Sequence, residues 1–202
     1  MSKKKTAIQQ QLSPQKYITT KARRLPIVHC LITPGWKESG ECNIVVVRQH
    51  KSGAYTIGFY LVDTYCLGVK NTFYKFNVLD DELDCLRNDT ENFEAITYNE
   101  VHNIIYGAVA YAEEWGIRPH PDFLLTQYLL EEDTEDIPLI EYEFGFKGKP
   151  FLLVKDALEF NKYKAILDES AGKDYYYSIR SIRHGLDDDE YDEYDEYDET
   201  VD

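Results

Sequence analysis

The chain has 202 residues and a formal net charge of −15, with 43% hydrophobic, 14% aromatic and 29% charged residues. It is too apolar and aromatic to be disordered throughout, and 11 glycines and 7 prolines exclude collagen-like or low-complexity character. The length suits one sizeable domain whose core needs no disulfide staples.

In chain order, residues 1–24 come first, with seven basic side chains (Lys3, Lys4, Lys5, Lys16, Lys21, Arg23, Arg24) and no acid. They are expected to form a flexible basic arm, because like charges repel and bury too little apolar surface to offset chain entropy. Leu25–Thr33 reads as a strand ending at Pro34-Gly35, Asn43–Arg48 as a second, and Ala54–Val62 as a third after the turn residues Gln49–Gly53. The last two are apolar on both faces (Val45 and Val47 opposite Ile44 and Val46), which makes them a central hairpin covered by helices. Asn71–Asn77 reads as a further strand or a loop.

Asn99 is the expected N-cap of a helix running to about Trp115. Val101, Ile104, Ile105, Ala108 and Ala112 form its apolar stripe, while Gly107 and Ala110 would let another backbone approach. A second helix is expected from Pro121-Asp122 through Leu129. After the acids Glu131–Asp136, Ile140, Tyr142, Phe144 and Phe146 alternate with Glu141 and Glu143. Lys147-Gly148-Lys149 is expected to turn that strand into Phe151–Val154 as a second hairpin. Asp156 with Glu159 starts a helix through Leu167 that stops near Gly172, and Asp174–Arg180 reads as a last strand or extended edge. The fold class expected is α+β: a single compact domain over 25–186, with a mainly antiparallel sheet of two β-hairpins packed by about three helices. Residues 187–202, eleven acids and no base, form an acidic tail expected to be disordered. In Glu190–Asp198 a tyrosine recurs at every third residue, suiting a lure for basic surfaces, a mask for the basic arm, or a solubilising tail.

Met1–Gln11 has the basic start of a signal peptide without its apolar stretch, and nothing approaches the roughly 18 apolar residues of a membrane span. A cytoplasmic location is expected, with no membrane contact. Cys30, Cys42, Cys66 and Cys85 stand far apart; three have apolar neighbours (Cys30, Cys66, Cys85), which suits buried thiols rather than disulfides.

Candidate chemistry is sparse. Asp63, Cys66 and Lys70 leave a buried strand together, and a thiol near a lysine can be a nucleophile of lowered pKa. His102 on the long helix and His120 with Asp122 could meet if the two helices run antiparallel, giving a metal-dependent alternative. Against it, Glu100 and His102 sit two apart and share no helix face, and no HExxH-type signature occurs. Neither Asp80–Asp84 nor Glu131–Asp136 has the calcium-loop pattern. No phosphate loop, nucleophile elbow or dinucleotide fingerprint is present. No metal and no cofactor are expected.

Tyr60–Lys70 (YLVDTYCLGVK), Gly107–Gly116 (GAVAYAEEWG), Pro119–Phe123 (PHPDF) and Phe144–Pro150 (FGFKGKP) resemble segments of an uncharacterised bacterial family. The resemblance spans about residues 25–155. Some of that family carry a C-terminal cysteine-rich SEC-C metal-binding motif; this chain has its acidic tyrosine repeat there instead. The resemblance implies no activity, no zinc and no catalytic residue.

The leading expectation is a macromolecular interaction module with oppositely charged arms and a protein partner. Nucleic acid is a further possible partner, through Lys3, Lys4, Lys5, Lys21, Arg23 and Arg24. One alternative is a thiol- or metal-dependent hydrolase or nuclease-like enzyme with a site near Asp63, Cys66, His102 and His120. The other is an inhibitor whose acidic tail mimics nucleic acid.

Overall fold

A computed structural model describes residues 12–180 apart from 90 and 135. Four strands follow one another as an antiparallel meander: β1 (Ile27–Ile32), β2 (Glu41–Gln49), β3 (Tyr55–Asp63) and β4 (Gly68–Val78). The two-residue β5 (Glu94–Ala95) pairs with the free side of β1, so the order is β4-β3-β2-β1-β5. β2 and β3 pair residue for residue from Glu41 opposite Asp63 to Gln49 opposite Tyr55. The expected central hairpin is present, and Asn71–Asn77 is the middle of β4.

Among the described residues the α-helical segments are α1 (Pro14–Lys21), the single turn α2 (Trp36–Ser39), α3 (Asp80–Arg87), α4 (Tyr98–Glu114), the single turn α5 (Phe123–Thr126) and α6 (Ala157–Ser170). They cover both faces of the sheet, which is why its central strands have no polar side. On one face Ile44, Val46, Tyr60 and Val62 meet Val101, Ile104, Ile105 and Ala108 of α4. On the other, Val45, Val47 and Ile57 meet Leu83 of α3. Each such large aliphatic side chain contributes roughly 1.5–3 kcal/mol on burial.

The N-cap of α4 is Thr97, two residues ahead of the expected Asn99. Thr97 Oγ1 accepts from the Glu100 amide at 3.3 Å and the Glu100 carboxylate accepts from the Thr97 amide at 3.1 Å. This reciprocal box satisfies two helix-end donors, where Asn99 could satisfy one.

Leu12–Arg24, the described portion of the expected basic arm, is folded. Ser13 caps α1, Pro14 occupies its first turn, and Ile18 and Ala22 are buried against Leu129. Ile18 and Ala22 are four apart and so share one helix face, a spacing the charge count obscures. The expected disorder of residues 1–11 and of the tail 187–202 lies outside the described residues.

The second expected hairpin is not formed. Residues 140–145 belong to no strand, and only the pair Phe146–Lys149 bridges across the turn. Lys147 and Gly148 both take positive φ (51° and 77°), as a tight hairpin turn requires, but Pro150 then has no N–H to extend the ladder. Instead the amide of Gly145 donates to the Thr64 carbonyl at 2.9 Å and that of Phe151 to the Tyr65 carbonyl at 3.1 Å. β6 (Phe151–Val154) pairs in parallel with β7 (Tyr176–Ile179), with α6 as the crossover between them. Leu152, Val154 and Leu167 of this unit close over Cys66, Ala112 and Ile117.

Candidate functional site

The turn from β3 to β4 carries three of the candidate residues. Asp63 is 1% exposed. Its Oδ1 accepts from the amides of Tyr65 at 2.9 Å and Cys66 at 2.8 Å, while Oδ2 has no partner among the described residues. Burial pushes its carboxyl up to about 6, against the pull of Lys70 and of the backbone N–H groups of Cys66, Leu67 and Tyr65. Lys70 points to Glu41, with Nζ 2.7 Å from Oε2. Burial works against its ammonium, but the bond to Glu41 and the charges of Asp63, Glu41 and Glu159 hold it above the usual lysine value.

The Cys66 thiol is fully enclosed among Leu67, Ala112, Ile117 and Leu152. Burial, then the Asp63 charge, drives it well above the usual thiol range, opposite to what a nucleophile needs. Cys30 and Cys42 are likewise buried and free, whereas Cys85, expected among apolar neighbours, is exposed.

His102 lies elsewhere. Its ring packs 4.6 Å from that of Tyr106 and 5.9 Å from that of Tyr98, and Nε2 is buried with no hydrogen bond of normal geometry among the described residues. Burial lowers its pKa, opposed by Asp133 and by the backbone at Glu132 and Glu131. Ala108, the α4 residue against Gly68 of the β3–β4 turn, is six positions further on, about 9 Å along the helix. His120 sits beside β4 through its amide, which donates to the Val69 carbonyl at 2.8 Å. Its Nδ1 accepts from the Asp122 amide at 3.3 Å and stands 3.8 Å from the Asp122 carboxylate, a local turn that opens α5. The structure thus gathers Asp63, Cys66 and Lys70 at one turn and His120 with Asp122 at another, and places His102 with neither. Among the described residues no group of three or more His, Cys, Asp or Glu side chains is arranged to hold a metal ion.

A buried hydrogen-bond network is built around a residue that patterning alone does not single out. Arg48, the last residue but one of apolar β2, is 0% exposed. Its guanidinium donates from Nε to the Leu129 carbonyl at 2.8 Å, from Nη1 to the Leu25 carbonyl at 2.6 Å, and from Nη2 to Glu131 Oε1 at 2.7 Å. Two tyrosines of α4 complete the clamp: Tyr98 Oη accepts from the Glu131 amide at 2.6 Å, and Tyr106 Oη donates to its carbonyl at 3.2 Å. Arg23 adds a bond from Nε to the Leu130 carbonyl at 2.9 Å, an ion pair with Glu132, and stacking over Tyr128 at 4.9 Å.

Further along, Asn103 of α4 fixes the chain a second time. Its Nδ2 donates to the Pro138 carbonyl and its Oδ1 accepts from the Ile140 amide, both at 3.0 Å. Ile140, Tyr142 and Phe144 then turn inward while Glu141 and Glu143 stay exposed, the alternation read from the sequence. Phe144 fills the space a side chain at Gly107 would need: a Cβ there would lie 2.4 Å from its ring. Tyr142 meets the edge of Trp36 at 5.5 Å. The result is an extended segment, Leu139–Phe144, laid along a helix instead of a strand.

Between the two runs a groove of about 690 Å³, with Tyr106, Gly107 and Ala110 on one side and Leu139–Phe144 on the other. Its charged lining is Asp133, Glu141 and Glu143. Lys70 borders a smaller recess of about 280 Å³ with Glu41, Lys155 and Glu159. Gly107→Ala is expected to loosen the groove wall: the new methyl displaces Phe144, although alanine gains about 1 kcal/mol of helix propensity. Faster amide exchange at 141–144 than in the wild type checks this, and unchanged exchange would contradict it. No family model, curated protein or solved structure matches this chain.

Proposed function

We propose that this protein is a macromolecular interaction module of the cytoplasm, and that an extended segment of a protein partner docks in the groove between α4 and Leu139–Phe144. One observation carries the reading. A segment with strand patterning is held extended, yet its main-chain amides from Glu141 to Phe144 have no protein partner among the described residues. A half-made ladder beside a groove is what strand addition uses: main-chain bonds supply affinity and flanking side chains supply selectivity. The oppositely charged ends of the chain act in this reading as steering elements that raise the encounter rate. Lys21 and Arg24 are exposed for that purpose, whereas Arg23 is occupied by Glu132 and Tyr128.

The test is a display selection of random peptides on the full chain, with each binder measured again on Ala110→Trp. Ala110 is exposed and lines the groove, so tryptophan there fills the groove without disturbing the core. Binders that lose at least about tenfold in affinity on the filled variant, a difference of about 1.4 kcal/mol, are expected. A selection that yields only peptides indifferent to Ala110→Trp contradicts the reading.

In the same cytoplasmic reading the thiols stay reduced, and no helix among the described residues is long and apolar enough to cross a membrane.

A further inference from the structure

Resting on the groove as a docking surface, we infer that its occupant is a basic extended segment in which lysine or arginine alternates with apolar residues. The charge of the lining is one-sided: Asp133, Glu141 and Glu143 are its ionisable acids, and among the described residues no lysine or arginine lines it. A strand laid beside Leu139–Phe144 brings its alternate side chains within about 5 Å of Glu141 and Glu143, the distance at which opposite charges across strands attract. The intervening side chains face the apolar surface of Ala110 and the Tyr106 ring. Leu139, 80% exposed at the mouth, gives that side further apolar area to cover.

The aromatic lining favours the same occupant. The Tyr142 ring already has Lys37 Nζ 6.0 Å from its centroid, and the Tyr106 ring is the other aromatic surface that attracts a lysine or arginine head group, more so where a carboxylate stands close by. An acidic or phosphorylated segment would meet three carboxylates, and the cations nearest the groove, Lys37 over Tyr142 and Arg23 on Glu132, are already engaged. The same repulsion turns nucleic acid away from this groove, so the partner recognised here is protein.

The experiment uses the full chain and a fluorescent peptide of about eight residues alternating lysine with valine or threonine, the length that spans such a groove. Its counterpart carries glutamate at every lysine. Each is titrated onto the wild type, Glu141→Gln/Glu143→Gln and Ala110→Trp. The acidic tail is intact in all three proteins, so any binding of lysine to the tail is common to them, and differences between them report the groove. The expected result is binding of the lysine peptide that weakens about fivefold to tenfold in the double glutamine variant, since two exposed cross-strand charge pairs are lost. Binding should also weaken on going from about 50 to about 300 mM salt. It should fall further in Ala110→Trp, and the glutamate peptide should not bind.

Equal affinity of the lysine peptide for wild type and Glu141→Gln/Glu143→Gln overturns the inference. So does binding of the glutamate peptide that Ala110→Trp abolishes, which would leave the groove a docking site with a different preference. Lysine-peptide binding unaltered by Ala110→Trp overturns the groove itself and the inference with it. A double-stranded DNA oligonucleotide whose affinity falls in Ala110→Trp also counts against it.

Discussion

Arg48→Met is expected to destabilise the protein by about 3–5 kcal/mol, the cost of breaking a buried charge network from one side. Methionine fills much of the volume, but it leaves the carbonyls of Leu25 and Leu129 without the donors that β2 now sends them. The partners are unequal. The Arg48 side chain is 1% exposed and that of Glu131 36%, so water can replace one partner and not the other. Glu131→Gln is therefore the milder change, and Arg48→Lys falls between, keeping the charge but losing the planar fork that reaches three acceptors at once. Denaturant midpoints at unchanged slope measure all three. A loss below about 1 kcal/mol for Arg48→Met, the scale of an exposed pair, would mean that the clamp is not structural.

The second large effect is a pH dependence at Asp63. Its folded carboxyl stands at about 6 against an ordinary value of 3.8, so between those pH values the native state holds a proton that the unfolded chain has released. Stability must then fall as pH rises through that window, with the whole cost, about 3 kcal/mol, present above pH 6. Asp63→Asn keeps the acceptor for the Tyr65 and Cys66 amides and removes the buried charge. The expected result is a flatter stability profile between about pH 4 and 6 and no loss at pH 7. Asp63→Ala removes the acceptor too, and is expected to cost about 1–3 kcal/mol for the two buried amides left unpaired. Because that turn receives Gly145 and Phe151 through the Thr64 and Tyr65 carbonyls, the alanine variant also frees the far end of the groove segment. A slope unchanged in Asp63→Asn would show that other carboxylates set the pH profile.

The elements legible in the sequence are those whose periodicity matches their burial. The β2–β3 hairpin is apolar on both sides because α3 and α4 cover both, and the α4 stripe from Val101 to Ala112 is the stripe that packs. The segment from Ile140 to Phe146 shows where periodicity is insufficient. Alternation records which side chains face inward, and a helix with a glycine at the contact receives such a face as well as a strand does. The partner of β6 was hidden for a related reason: a strand states its own pattern, while its pairing depends on Pro150 and on distant carbonyls. Arg48 did carry a signal, since a lone cation inside a central strand must find buried acceptors, but those acceptors are main-chain groups that no motif encodes. The candidate set Asp63, Cys66, Lys70, His102, His120 and Asp122 rests on residue type, and only Asp63 to Lys70 and the pair His120 and Asp122 follow one another closely enough along the chain to meet without knowledge of the fold.

Backbone amide exchange of the full chain, with and without a peptide whose binding depends on Ala110, measures the central claim most directly. Slowed exchange at Leu139–Phe144, with little change along the outer edge of β4, is the result expected if a partner strand completes the ladder there. Slowing on β4 instead, or none at Leu139–Phe144 at saturating peptide, would contradict the groove as the docking surface.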